Sequence, residues 1–307
     1  MPENAVLALL APGQGSQTSG MLAPWLELPG SDAVVAAWSE AIGLDLARLG
    51  TTATAEEITD TAVTQPLVVA ATLLAHRELT KRGLLAGADT VVAGHSVGEL
   101  AAYAIAGVVS ADDAVSLAAT RGSEMAKACA VEPTGMSAVL GGDEADVLGR
   151  LEALDLVPAN RNAAGQIVAA GALAALDKLA EDPPAKARVR ALATAGAFHT
   201  RYMASAIGAY SAAADRISTS APTTVLLSNS DGQAVSSATD AMSKLVAQMT
   251  NPVRWDLCTE TMRQRKVTAI IEFPPAGTLV GIAKRELRGV PTYAVKTPAD
   301  LDGLAEL

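Results

Sequence analysis

Thr90-Val91-Val92-Ala93-Gly94-His95-Ser96-Val97-Gly98-Glu99 is the stretch on which the reading of this 307-residue chain turns. Residues 90–93 form a short run with strand character, and residues 99–106 are rich in helix formers. Between them lies Gly-x-Ser-x-Gly. A sharp strand-to-helix turn forces its central residue into a strained backbone, and side chains two positions away on either side would collide, hence Gly94 and Gly98. The Ser96 hydroxyl then stands above a sheet at the positive end of a helix, and the Val97 amide points to where an oxyanion would form. The pentapeptide alone leaves a plain glycine-rich turn open as the alternative.

Outward from this turn, short apolar runs alternate with longer amphipathic segments, the mark of an α/β fold. Val6–Ala11 reads as a buried strand stopped by Pro12-Gly13. Residues 66–82 read as a helix with Pro66 in its first turn and Gly83 just past its end. Ser110, with Asp113 three residues on, marks the start of another helix, near whose end Arg121 is expected. Residues 130–196 behave as a separate unit: strand 136–140, helix 143–154, strands 157–161 and 166–170, helix 173–180 and strand 188–192. That βαββαβ order is the ferredoxin-like pattern. The main pattern resumes with a helix near 202–217, a strand at 225–228, a helix near 241–249, a strand at 267–272 and a helix at 278–287. The expected architecture is a core of residues 1–129 and 197–307 on a parallel sheet, with a subdomain inserted at 130–196.

Composition narrows the function. Half the residues are hydrophobic and 18% are charged, enough apolar material for a sizeable core and too little charge for a disordered chain. Lys and Arg number 23 against 33 Asp and Glu, a formal net charge of −10. That balance speaks against a nucleic-acid or anionic-membrane footprint, though one local positive pocket could still hold an anionic substrate. Aromatics are only 3%, so the core must be built from Ala, Val, Leu and Ile. Cys129 and Cys258 make neither a disulfide framework nor a metal-ligand pair, which suits a reducing cytoplasm. Met1-Pro2-Glu3-Asn4 lacks the positive charge of a signal peptide, and the apolar block at 67–75 is too short to span a bilayer.

A serine nucleophile needs a base, and the chain has three histidines. His76 falls within an amphipathic helix and suits a surface or boundary place. His95 is adjacent to Ser96, so its side chain points away, toward a structural hydrogen bond or a pocket wall. His199, in Gly196-Ala197-Phe198-His199-Thr200, remains as the base by elimination. An ordinary α/β-hydrolase places its histidine near the C-terminus after an acidic residue. Here much of the chain follows His199 and no acid stands out before it, so a dyad oriented by a backbone carbonyl is the alternative. Pro12-Gly13-Gln14-Gly15-Ser16-Gln17 after the first strand could bring a second oxyanion donor, or be only a turn. Arg121 reads as solvated, or as a guanidinium placed to grip a substrate carboxylate at two points.

Taken together, residues 13–17 (GQGSQ), 94–99 (GHSVGE), Arg121 and 197–199 (AFH) resemble malonyl-CoA:acyl carrier protein transacylases, in order and spacing. Residues 160–168, 248–253 and 272–277 extend the likeness over essentially the whole chain. The resemblance implies a hydrolase-like α/β core with a ferredoxin-like insertion. It implies that Ser96 takes a malonyl group as an ester with His199 as base, and that Arg121 pairs with the free carboxylate. It further implies that the amides of Gln14 and Val97 form the oxyanion hole, and that the Gln248 carbonyl orients the histidine. Phe198 resembles malonyl-selective members, its bulk filling the space of an α-methyl group, and Asn162 joins the substrate-binding set. Two stretches depart from the commoner pattern: Pro274-Pro275-Ala276-Gly277 replaces glycine-proline-glycine, and Ala163-Ala164 stands where Ser-Pro is usual.

The expected reaction is a ping-pong transfer from malonyl-CoA to the phosphopantetheine thiol of an acyl carrier protein, in fatty-acid or polyketide synthesis. The expectation includes no bound cofactor or metal, no nucleic acid, no membrane and a cytoplasmic location. Lys186, Arg188 and Arg190, or Lys284, Arg285 and Arg288, are candidate docking patches for an acidic carrier. A serine thioesterase or esterase shares the turn but uses water as second substrate. A non-catalytic docking module would not need Ser96 or His199.

Overall fold

The computed structural model describes residues 5–306, so Met1-Pro2-Glu3-Asn4 lies outside the described residues. From β1 (Val6–Ala11) the chain passes through α1 (Ala23–Leu26), α2 (Ser31–Ile42), α3 (Leu46–Thr51) and the long α4 (Thr61–Lys81). β2 (Asp89–Gly94), α5 (Gly98–Ile105) and α6 (Ala111–Cys129) follow. Next come β3 (Thr134–Gly141), α7 (Glu144–Ala153), β4 (Val157–Ala163), β5 (Gln166–Ala172), α8 (Leu173–Glu181) and β6 (Ala187–Ala191). Then come α9 (Ala204–Ala214), β7 (Val225–Leu226), α10 (Ala238–Ala247), α11 (Trp255–Gln264), β8 (Ala269–Glu272), α12 (Thr278–Glu286), β9 (Thr292–Ala294) and a 3-10 segment at Pro298–Glu306.

Two sheets result. The first runs β7-β2-β1-β8-β9 and is parallel throughout. Helices cover it, so β1 reads as an unbroken apolar run. The second runs β4-β5-β3-β6, each neighbour antiparallel, as a βαββαβ unit requires. The α/β expectation and both sheet types are borne out. The aliphatic core expected from the scarcity of aromatics is also found, with Trp25, Tyr103, Tyr210, Trp255 and Phe273 as fully buried exceptions.

Several element boundaries need correction. α4 starts at Thr61, capped by the Asp60 side chain, and Pro66 lies inside it rather than in the first turn. The proline forfeits one helical hydrogen bond. Burial of 14 of the 21 residues of α4 offsets that loss. Gly83 does follow the helix, at φ 69°. Ser110 caps α6 by accepting from the Asp113 amide, but Arg121 sits mid-helix rather than near its end. Strand β7 is only two residues, and α9 is preceded by a 3-10 turn at Arg201–Met203. Helices α1, α2, α3 and α11 and the edge strand β9 escaped the sequence reading. α1 and α3 are only four and six residues long and β9 only three, whereas α2 and α11 bury regular faces through Val35 and Trp38 and through Trp255, Cys258 and Met262.

Candidate active site

The site forms where β1 and β2 end together. Ala11 pairs with Gly94, and the His95 amide donates to the Ala11 carbonyl at 3.0 Å, so the loop holding Gln14 lies beside the Ser96 turn. Ser96 adopts φ 55°, in the left-handed region. The flanking glycines are obligatory: a Cβ on Gly94 would lie 2.0 Å from the Gly98 carbonyl oxygen, and one on Gly98 would lie 2.3 Å from that of Ala11. The strained turn is clamped from both sides. Asn229 Oδ1 accepts the Ser96 N–H at 2.9 Å, and Gln248 Nε2 donates to the Ser96 carbonyl at 3.0 Å.

Ser96 Oγ lies 2.7 Å from His199 Nε2, and His199 Nδ1 lies 2.8 Å from the main-chain carbonyl of Gln248. A carbonyl can only accept, so Nδ1 carries the proton and Nε2 offers its lone pair to the serine. Burial, with Arg121 and His95 nearby, lowers the His199 pKa to about 3 and keeps the imidazole neutral. Its backbone is also left-handed, at φ 59°.

Arg121 is fully buried, yet no carboxylate among the described residues grips it. Its guanidinium donates to Gln65 Oε1 and Gln248 Oε1, both at 2.8 Å, and one nitrogen stands 3.4 Å from Ser96 Oγ. Burial lowers its pKa, opposed by Tyr210 and Glu99 through space. Helix α6 approaches α4 closely at Gly122, where a Cβ would stand 2.7 Å from the Thr61 carbonyl oxygen. That contact sets Arg121 against Gln65.

The amides of Gln14 and Val97 have no acceptor among the described residues, leaving both donors available beside Ser96. The Gln14 side chain donates to Thr61 Oγ1 at 3.2 Å. His95 turns away from Ser96, as expected: its Nε2 meets Asn162 Oδ1 at 2.8 Å and its ring tilts against Trp255. Asn162 therefore touches His95. Phe198 is buried in the apolar core. His76 is half-buried beside Phe273, with burial lowering its pKa to about 4.

The sequence reading missed Gln65, Glu99 and Asn229. Glu99 was visible as the residue after Gly-x-Ser-x-Gly, but its burial was not. Asn229 lies in a loop after a two-residue strand, with no local signal of its own. The basic candidates are exposed: Lys186, Arg188 and Arg190 at the edge strand β6, and Lys284, Arg285 and Arg288 at the end of α12. Arg285 donates to Gln166 at the start of β5. With Arg288, Arg263 and Lys266 it lines a groove of about 460 Å³.

The acyl transferase domain model matches residues 9–299. The malonyl CoA-acyl carrier protein transacylase of Mycobacterium tuberculosis is 74% identical over 302 residues, covering 98% of this chain and all of the relative. The chain belongs to the malonyl CoA-acyl carrier protein transacylase family. The transacylase of Mycolicibacterium smegmatis is 78% identical over 291 residues, 94% of this chain and all of the relative. Among solved transacylase structures, that from Mycobacterium tuberculosis superposes with a TM-score of 0.96 at 74% identity, covering 98% of this chain and 99% of the other. A type II polyketide-synthase acyl-carrier protein in complex with its malonyl-transacylase gives a TM-score of 0.92 at 29% identity, covering 99% of each chain.

Proposed function

We propose that this protein transfers a malonyl group from malonyl-CoA to the phosphopantetheine thiol of an acyl carrier protein, through a malonyl ester on Ser96. The observation that carries this reading is the single Ser96 oxygen that lies 2.7 Å from a neutral imidazole and 3.4 Å from a buried guanidinium. The first contact activates a nucleophile. The second sets a cation where a carboxylate-bearing acyl chain would end.

In the first step His199 Nε2 takes the Ser96 proton as Oγ attacks the thioester carbonyl, and the Gln14 and Val97 amides receive the oxyanion. The C–S bond then breaks, and His199 returns its proton to the departing CoA sulfur. In the second step His199 takes the proton of the carrier's thiol, whose sulfur attacks the ester, and Ser96 leaves with that proton. Arg121 holds the malonyl carboxylate throughout. We assign Phe198 and Asn162 to the substrate pocket, Phe198 as the neighbour of His199 and Asn162 through His95.

We also assign residues 130–196 to an inserted subdomain between core segments that end at 129 and resume at 197. The coenzyme A thioester and the carrier's phosphopantetheine are substrates in this reading, with no resident cofactor. None of the described helices is long and apolar enough to cross a membrane. We place the reaction in the cytoplasm, in keeping with two unpaired cysteines.

Intact-mass measurement after incubation with malonyl-CoA tests the proposal. A malonyl adduct should map to Ser96, vanish in Ser96→Ala and pass to added carrier protein. Free malonate with no loaded carrier would make the protein an esterase instead.

A further inference from the structure

Glu99 is a buried carboxylate that the two-step reaction leaves unused. It sits in the first turn of α5, one residue past Gly98. Its Oε1 accepts the Asn229 main-chain N–H at 2.5 Å, and its Oε2 accepts from Gln248 Nε2 at 2.6 Å. Both partners also hold the nucleophile. Asn229 takes the Ser96 N–H and gives Nδ2 to the Gly94 carbonyl at 2.7 Å, while Gln248 Nε2 also faces the Ser96 carbonyl.

A glutamine amide has a donating end and an accepting end, and its orientation follows from its partners. Gln248 Nε2 faces three acceptors: Glu99, Asn229 Oδ1 and the Ser96 carbonyl. Its Oε1 must therefore face Arg121. The Glu99 charge reaches Arg121 only through space, because two side-chain amides and the Ser96 hydroxyl are what touch the guanidinium. Burial pushes the Glu99 pKa up to about 8, yet both its oxygens face donors, the Asn229 N–H and the Gln248 NH2, so the ionised form is the one this site fits. It faces Arg121 without occupying the position a substrate carboxylate would take.

We infer that Glu99 is a positioning residue: its carboxylate, with the Ser96 carbonyl and Asn229 Oδ1, anchors the Gln248 amide so that Oε1 meets Arg121, and so sets the preference for an acyl group that carries a carboxylate. This rests on the proposed malonyl transfer. A neutral amide at position 99 would bring a donor against the Asn229 N–H or the Gln248 NH2. Gln248 cannot turn over in response, because its Nε2 also faces the Ser96 carbonyl and Asn229 Oδ1, so the side chain shifts and its Oε1 loses register with Arg121.

The test measures acylation of Ser96 by malonyl-CoA and by acetyl-CoA, using intact mass, in wild type, Glu99→Gln, Glu99→Asp, Gln248→Met and the Glu99→Gln/Gln248→Met double variant. Glu99→Gln should lower the malonyl-to-acetyl rate ratio about tenfold or more, the order of one hydrogen bond to a charged group. Gln248→Met, which keeps the carbonyl that orients His199, should do the same. The double variant should be no worse than either single one, since both act on one relay. An unchanged ratio in Glu99→Gln, or additive losses in the double variant, overturns the inference. Should Glu99→Gln fail to fold, Glu99→Asp carries the test: a carboxylate one methylene short should lower the ratio severalfold, and a wild-type ratio there overturns the inference. Failure of wild type itself to take malonyl would instead remove the proposed function.

Discussion

His199 Nδ1 and the main-chain carbonyl of Gln248 stand 2.8 Å apart, so the proposed base is oriented by a neutral peptide group and not by a carboxylate. With no anion at its back, only main-chain contacts at Gln248 and Asn251 favour an imidazolium, and burial beside Arg121 and His95 outweighs them, lowering its pKa to about 3. The base is then ready across the whole neutral range. The Ser96 acylation rate measured against pH should show no inflection near 6.5, the ordinary histidine value. A halving centred there would show that His199 titrates normally. The same shift acts on stability. The folded pKa lies below the unfolded one, so this contribution is complete above about 6.5 and is lost as pH falls toward 3.

Arg121 and Asn229 should fail in distinguishable ways. In the proposed transfer Arg121→Ala removes the donors for the malonyl carboxylate, so malonyl loading should fall about 10²-fold while acetyl loading is spared. Equal losses for both acyl groups would assign Arg121 a structural role.

Asn229→Ala instead strands the Ser96 N–H and the Gly94 carbonyl in a buried turn. Each orphaned group costs about 1–3 kcal/mol. Thermal denaturation should register the loss, and malonyl and acetyl loading should fall together. Unchanged thermal stability would contradict this assignment.

Two helical glycines make a paired test of packing. Gly122→Ala puts a methyl 2.7 Å from the Thr61 carbonyl oxygen and pushes α6 from α4. A loss of about 1–3 kcal/mol is expected, with malonyl loading reduced as Arg121 shifts from Gln65. Gly149→Ala in α7 meets nothing within 4 Å and should stabilise by about 0.4–1 kcal/mol. Urea denaturation of both variants checks the pair, and equal effects would contradict it.

Carrier docking is testable by charge reversal at Lys186, Arg188 and Arg190 and at Lys284, Arg285 and Arg288. The KM for carrier protein should rise severalfold at the cluster that docks, since steering charges act over about a Debye length. Acylation by malonyl-CoA should not change. An unaltered carrier KM after reversal of both clusters would place docking elsewhere.

What the sequence revealed tracks how local each signal is. The Ser96 turn is written in five consecutive residues because sterics at Gly94 and Gly98 admit nothing else. The second sheet was legible because its strands alternate with helices at regular spacing. Pro66 misled because its first-turn preference is weak beside the burial of α4. Asn229 was invisible for a different reason. It reaches Ser96 across 133 residues, and only the stacking of β7 on β2 brings the two together. Glu99 showed its position but not its neighbours, and its partners lie on segments distant in the chain.

The order of strands also bears on synthesis. β1 occupies the middle of the parallel sheet, yet the neighbour on one of its sides, β8, is made only at residues 269–272. A ribosome-bound chain that has emerged past His199 therefore carries an apolar strand with one edge unpaired. Its nucleophile and base also still lack the Gln248 carbonyl. Exposed strand edges are templates for wrong pairing. The nascent protein thus passes most of its elongation both inert and prone to stick, and holdase binding to that edge would guard it until its final strands arrive.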